Sequence, residues 1–329
     1  MIGVIKLYSS AKETYSFIGN DNIEQFMLNS INSRKLHHAY LFSGTKGIGK
    51  ATFAYRAARY ILSNALKENM DIDKSKKVSK LIEKNSHPDF MVLEKDLDKE
   101  KSIIEIDKVR KCINFFNHTP TLGAYKICII DSLDEMNINS TNALLKIIEE
   151  PQKNSLFFII SHSKETVLPT IRSRCLNLRF NKFSDYEIKK FLNNKILDEE
   201  VYDLNEVISL SHGSVGRAFD LISEDSQEII VKVKSLFNQF SDENFQKLEN
   251  ALIRSNKIDL FFELSLLIID KTIKELILDK NHQENKRIDE LFLLRAETQR
   301  IYHEGKKYKN INNHMILELI LLIKKSFYH

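Results

Sequence analysis

Residues 40–52, YLFSGTKGIGKAT, decide the fold of this chain. An apolar run typical of a buried strand leads into Gly44, Gly47, Gly49 and Lys50, and a helical pattern follows. Glycines allow the backbone to turn its N–H groups toward phosphate oxygens, and the positive end of the following helix faces the same place. Lys50 would then reach the β and γ phosphates of a nucleotide. The segment predicts a phosphate-binding loop, although taken alone it also fits a glycine turn that binds no nucleotide.

Two groups that handle metal and water in such loops are missing. Ala51 stands where a serine or threonine hydroxyl would hold magnesium, and Thr52 points about 100° away around the helix. A second apolar run, KICIID, ends in Asp131, which fits the carboxylate that orients magnesium. Ser132 follows where an ATPase needs a general base, and a hydroxyl is a poor base at neutral pH. We therefore expect at most weak binding of ATP or ADP, not required for function, and little or no hydrolysis.

Short apolar runs alternate with helical patterns from Ile18 to about Phe180, as in SLFFIISH at 155–162. Runs of this kind indicate strands buried on both faces, as in a parallel sheet covered by helices. Residues 64–85 are rich in charge without an aromatic side chain, which indicates a solvated helical insert. The sequence predicts three domains, namely an α/β core at 1–180, a small helical lid at 181–225 and a helical C-terminal domain at 226–329.

Composition limits the class of protein. Only 9 glycines and 4 prolines in 329 residues favour long helices, and a net charge of +4 neither demands nor excludes nucleic acid. Cys112, Cys128 and Cys175 are too few for a four-thiolate zinc site and too irregular for a disulfide framework. The N-terminus has no secretory pattern, and no apolar run reaches the length of a membrane span. We expect a soluble cytoplasmic protein without zinc.

Four further segments carry candidate features. Asp134 and Glu135 are interpreted as starting the next helix, where the helix dipole favours negative charge. NALLKIIEEP, at 142–151, has an apolar face and stops at its proline, which indicates a core-packed helix.

Arginines mark the other two. LPTIRSRC carries Arg172 and Arg174, which are either solvated side chains or donors to a neighbour's phosphate. SHGSVGRAFDL starts a helix near Ser214 and places Arg217 on its first turn, which by itself is a weak signal.

Together these motifs resemble the clamp-loader branch of the AAA+ proteins, and within it the bacterial delta-prime subunits of DNA polymerase III. The resemblance covers nearly the whole chain, and the tripeptide SRC at 173–175 is its most specific part. Other matching segments, in family order, are IGNDNIEQFMLNSINSRKLHHAYLFSGTKGIGKATFA, SHPDFMVLE, IIEIDKVRKCINFFNHTPTLGAYKICIIDSLDEMN and NALLKIIEEP.

The resemblance implies roles for individual residues. Arg174 would reach into the ATP site of the adjacent subunit, while Ser161 and Arg217 would match the first and second sensors. Hydrolysing relatives keep the hydroxyl and the glutamate that are replaced here by Ala51 and Ser132, so the resemblance points to delta-prime. Many relatives carry a four-cysteine zinc module in the stretch equivalent to 63–86, where this chain has no cysteine.

The resemblance also implies an assembly. The three parts would be an AAA+ P-loop core, a helical lid and an all-α collar. The chain would be a comparatively rigid, non-hydrolysing member of a hetero-pentamer with tau/gamma ATPase subunits and a delta subunit. This pentamer, as part of the DNA polymerase III holoenzyme, opens the sliding clamp and places it on primed DNA.

Two other functions are weighed against this one. An active ATPase of the tau/gamma type would have to hold metal without a hydroxyl at Ala51 and use a base other than Ser132. A P-loop phosphotransferase for a small molecule would need convergent polar residues on a lid, whereas the C-terminal part offers amphipathic stripes suited to protein contacts.

Overall fold

A parallel sheet of five strands forms the centre of the N-terminal part of the chain. The computed structural model describes residues 10–65, 69–95, 103–163, 167–193, 203–278, 285–308 and 313–328. The strands are β1 (Ala39–Ser43), β2 (Phe90–Glu94), β3 (Lys126–Asp131), β4 (Ser155–Ser161) and β5 (Leu176–Arg179). Their spatial order is β2-β3-β4-β1-β5, and all pairs are parallel. Every residue of β1 and β4 is buried, as their continuous apolar runs predicted.

Helices cover both faces of this sheet, because alternate strand residues point to opposite sides. One face packs Phe42 and Phe158 against Phe53, and the other packs Ile159 against Leu144. The helices of this part are α1 (Asp21–Asn32), α2 (Lys50–Leu62), α3 (Lys77–Glu83), α4 (Ile106–Phe116), α5 (Ile138–Glu149), α6 (Pro169–Arg172) and α7 (Asp185–Asn193). The predicted α/β fold with a parallel sheet is confirmed.

From Asp185 onward, the regular elements within the described residues are all helices, joined by turns and loops. These are, after α7, α8 (Leu204–Ser211), α9 (Val215–Ile222), α10 (Glu224–Asn238), α11 (Asp242–Ser255), α12 (Ile258–Leu278), α13 (Asn285–Tyr308) and α14 (Asn313–Tyr328). The chain divides into two compact units, Met1–Glu199 with Ser211–Arg217, and Glu200–Leu210 with Ala218–His329. The predicted division into three domains stays a prediction. Within the described ranges, none of the helices is long and apolar enough to cross a membrane.

The charged segment at 64–85 contains the predicted helix, α3. It is not fully solvated, because Met70 and Ile82 are buried in the same core as α2. An ion pair between Arg56 on α2 and Asp71 also ties the segment to the core. Residues 66–68 of this prediction lie outside the described residues.

Candidate functional site

The loop between β1 and α2 has the backbone of a phosphate-binding loop. Gly44, Gly47 and Gly49 have φ values of +145°, +78° and +92°, which side-chain-bearing residues rarely adopt. A Cβ on Gly44 would lie 2.7 Å from the carbonyl oxygen of Phe180, and one on Gly47 would lie 2.4 Å from Ser214 Oγ. The positive φ therefore favours glycine at all three positions, and the lack of space for a Cβ also requires it at Gly44 and Gly47.

Lys50 is held inside this loop. Its Nζ donates to the carbonyl oxygens of Gly44 at 2.5 Å and Thr45 at 2.6 Å, and the residue is 3% exposed. Burial lowers the pKa of Lys50 to about 8, although Asp131 and Asp134 oppose that effect. The amine thus stays mostly protonated at neutral pH. The backbone N–H groups of residues 45–49 donate to no other group among the described residues. A cation and open amides at the start of a helix suit a phosphate group.

Acidic side chains gather at the carboxyl edge of the sheet, where the strands end. Asp131 ends β3 and Glu94 ends β2. Burial, followed by the nearby carboxylates of Glu135 and Glu94, raises the pKa of Asp131 to about 6, against the opposing effect of Lys50. Lys50 and Asp131 thus lie close enough for the charge of each to affect the pKa of the other. Ser132 is 1% exposed, and its hydroxyl has no hydrogen-bond partner among the described residues.

Asp134 has a different role from the one predicted. It lies in a 3-10 turn, Leu133–Glu135, and α5 begins only at Ile138, so Asp134 and Glu135 do not start that helix. The carboxylate of Asp134 accepts from Ser161 Oγ at 3.2 Å and from the His162 N–H at 2.6 Å. Asp134 therefore joins the end of β3 to the end of β4.

His162 belongs to this edge and was missed by the sequence reasoning. Burial lowers its pKa to about 4, and the charge of Lys50 acts in the same direction. The imidazole is therefore neutral at physiological pH. Its sequence signal was its position directly after the strand that ends at Ser161.

Arg217 is brought to the loop through its backbone. Ser214 Oγ donates to the Lys46 carbonyl at 2.9 Å, and the Gly216 N–H donates to the Gly47 carbonyl at 2.8 Å. A Cβ on Gly47 would lie 3.3 Å from the Arg217 backbone nitrogen. The start of α9 thus lies directly on the phosphate-binding loop, while the sensor role of Arg217 stays a prediction.

The SRC tripeptide divides its three side chains between core and surface. Ser173 Oγ donates to the Thr170 carbonyl at 3.0 Å and closes the end of α6. Cys175 packs against the core, where burial raises the pKa of its thiol to about 12. Arg174 projects between them, with a side chain 38% exposed, and its Nη2 lies 3.0 Å from Glu149 Oε1.

Arg174 and Lys50 lie at opposite edges of the sheet. β5 starts at Leu176, which pairs with Tyr40 near the start of β1, so Arg174 precedes the amino edge. Lys50 follows the other end of β1. At about 3.3 Å per residue, roughly 15–20 Å separates the two along the strands. The structure therefore does not combine Arg174 with the chain's own phosphate-binding loop.

Two of the three cysteines lie close together in the core. Cys112 and Cys128 are buried with their sulfur atoms 3.4 Å apart. Within the part of the chain that the structure describes, no group of three or more His, Cys, Asp or Glu side chains could hold a metal ion. The absence of zinc remains a prediction.

The family described as DNA polymerase III, delta subunit, matches residues 19–184. The delta-prime subunit of DNA polymerase III from Pseudomonas aeruginosa is 32% identical over 66% of this chain and 66% of that protein. Delta-prime from Bacillus subtilis is 28% identical over 66% and 64%, and the DNA polymerase III gamma subunit from Buchnera aphidicola subsp. Schizaphis graminum is 29% identical over 62% and 56%. The match thus spans between 56% and 66% of the length of these relatives. The chain belongs to the DNA polymerase III delta-subunit family, and its predicted likeness to the bacterial delta-prime subunits of DNA polymerase III is confirmed.

Proposed function

We propose that this chain is a non-hydrolysing, delta-prime-like subunit of the cytoplasmic DNA polymerase III clamp loader, which supplies Arg174 to the ATP site of a neighbouring subunit. Its partners would be tau/gamma ATPase subunits and a delta subunit in a hetero-pentamer that loads the sliding clamp onto primed DNA. The observation that carries the proposal is the separation of the partly exposed Arg174 from the chain's own phosphate-binding loop by the length of a strand.

The chain's own loop supports phosphate binding better than hydrolysis. Lys50 and the open amides fit the phosphates of ATP or ADP, and Asp131 fits a carboxylate that orients magnesium. Ala51 supplies no hydroxyl to the metal, and the buried hydroxyl of Ser132 is a poor general base. Nucleotide would therefore bind weakly at this site and would not be turned over.

Arg174 has the chemistry needed for action on another chain. An arginine supplied in trans stabilises the negative charge that develops on the transferred phosphoryl group, and its charge does not depend on pH in the physiological range. Arg174 presents such a charge on the protein surface, on a turn anchored by Cys175. The turn lies at the amino edge, away from Lys50 and Asp131.

An active ATPase of the tau/gamma type is the second candidate, because a gamma subunit is among the relatives and Lys50 and Asp131 are retained. The two functions predict different rates of ATP hydrolysis by the isolated chain. The proposed function predicts no ATP turnover above background, whereas the alternative predicts turnover that Lys50→Ala abolishes.

The decisive test is reconstitution with the hydrolysing and delta subunits of the same organism. Wild type, Arg174→Ala and the control Arg172→Ala, which changes an exposed arginine two residues away, are compared in ATPase assays stimulated by clamp and primed DNA. We expect all three complexes to assemble, with a substantial share of hydrolysis lost only for Arg174→Ala. Failure to assemble, or equal hydrolysis by Arg174→Ala and wild type, would contradict the proposal.

A further inference from the structure

Arg174 is held by two hydrogen-bond acceptors and one ion-pair partner of its own chain. Its Nη1 donates to the Thr170 carbonyl at 3.0 Å and to Ser173 Oγ at 3.3 Å, and its Nη2 pairs with Glu149 at 3.0 Å. Both acceptors belong to the turn that carries the arginine. Glu149 comes from another element, α5.

The position of Glu149 is unfavourable for its helix. It is the last residue of α5, and Glu150 follows it directly, so two carboxylates stand at the negative end of the helix dipole. A glutamate there destabilises an isolated helix, whereas an arginine at the same end is favourable. The contact with Arg174 therefore offsets a local conflict, and helix formation gives no reason for a carboxylate at this position.

The three contacts leave part of the guanidinium for another anion. Nη1 has two hydrogens and two acceptors, whereas Nη2 contacts Glu149 as an ion pair. Within the described residues Nε donates to no acceptor, and 38% of the side chain is exposed. The guanidinium can thus keep its contacts with Glu149 and Thr170 while donating to a phosphate group.

We propose that Glu149 is a positioning residue for Arg174, which fixes the guanidinium in the orientation that the neighbouring ATP site requires. This inference rests on the proposed function of Arg174. A free arginine side chain loses rotamer freedom when it engages a phosphate, and an arginine already fixed loses less. The smaller entropy loss of the fixed arginine matters when charge develops on the phosphoryl group in the transition state. It therefore affects kcat more than KM.

The test measures the Arg174-dependent part of hydrolysis, which is the rate of the wild-type complex minus the rate of the Arg174→Ala complex. Glu149→Ala is expected to lower this part about 1.4- to fivefold, the range that exposed ion pairs span, with the KM for ATP unchanged. Glu149→Gln keeps an acceptor oxygen and should lie between Glu149→Ala and wild type. Glu150→Ala, which removes the adjacent exposed glutamate, is the matched control and should match wild type.

The double variant separates positioning from a general effect on structure. If Glu149 acts through Arg174, adding Glu149→Ala to Arg174→Ala changes nothing further. An equal loss in both backgrounds, an unchanged rate for Glu149→Ala, or a rate increase that marks Glu149 as a competitor for the arginine would each overturn the inference. If Arg174→Ala itself leaves hydrolysis unchanged, the proposed function fails, and that outcome is distinct from a failure of Glu149 alone.

Discussion

Replacing Asp131 with asparagine is expected to stabilise the folded chain. The side chain lies at the end of β3, where burial and the carboxylates of Glu94 and Glu135 raise its pKa from 3.8 to about 6. Asparagine has nearly the same shape and resembles the protonated acid, so it avoids the cost of holding a charge there. Since each pKa unit corresponds to about 1.4 kcal/mol, the gain in the free energy of unfolding above pH 7 is about 3 kcal/mol.

The stabilisation expected for Asp131→Asn increases as pH rises. Between about pH 4 and pH 6 the folded chain retains the Asp131 proton that the unfolded chain has released, so wild-type stability falls as pH rises through this window. Asp131→Asn removes that dependence. The difference between variant and wild type should therefore shrink from about 3 kcal/mol at pH 7.5 to about 1 kcal/mol at pH 4.5.

Urea unfolding followed by far-UV circular dichroism can measure this difference, because the chain has no tryptophan. Hydrogen exchange of the β3 amides would assign the change to the α/β unit. Asp185→Asn, an exposed aspartate of the same unit, is the control and should show no such pH dependence. A lower or unchanged midpoint for Asp131→Asn at pH 7.5, or an equal gain at both pH values, would refute the reasoning.

Two further substitutions test the same unit. The carboxylate of buried Asp89 accepts N–H groups of Thr121, Leu122 and Gly123 at 2.6, 2.6 and 3.0 Å, and these bonds lower its pKa against the effect of burial. Asp89→Asn should cost about 2–3 kcal/mol at pH 7.5 in the same urea assay, and a neutral result would contradict this role. Gly47→Ala should lower the free energy of unfolding by about 2–4 kcal/mol, because residue 47 has a positive φ and the new Cβ would collide with Ser214 Oγ. Gly123→Ala is the control and should cost clearly less, because Gly123 has no positive φ. Equal costs for the two substitutions would refute this account.

The sequence predicted the elements that local patterns determine. Continuous apolar runs gave the strands β1, β3 and β4, and the loop glycines gave the turn that carries Lys50. The chemistry that Lys50 shares with Asp131 was also predictable, because each follows or ends a parallel strand at the same edge of the sheet.

Contacts between distant segments were not predictable in the same way. Asp134 was interpreted as part of a helix, since nothing local shows that its carboxylate binds the hydroxyl of Ser161, 27 residues later. Glu149 was not singled out in the helix predicted at 142–151, because its contact with Arg174 depends on how the α6 turn returns to the amino edge. Both contacts depend on tertiary packing, which no short-range pattern in the sequence predicts.

The two edges of the sheet explain how the proposed subunit could lose hydrolysis and keep its function. Lys50 and Asp131, at the carboxyl edge, would act on a nucleotide bound by this chain in the proposed function. Arg174 and Glu149, at the amino edge, contact none of those groups, so Ala51 and Ser132 leave their geometry unchanged. In the proposed function, an arginine in this position serves a phosphate held by another chain. The replacements at Ala51 and Ser132 would therefore abolish hydrolysis at this chain's own site and leave hydrolysis at the neighbour's site intact.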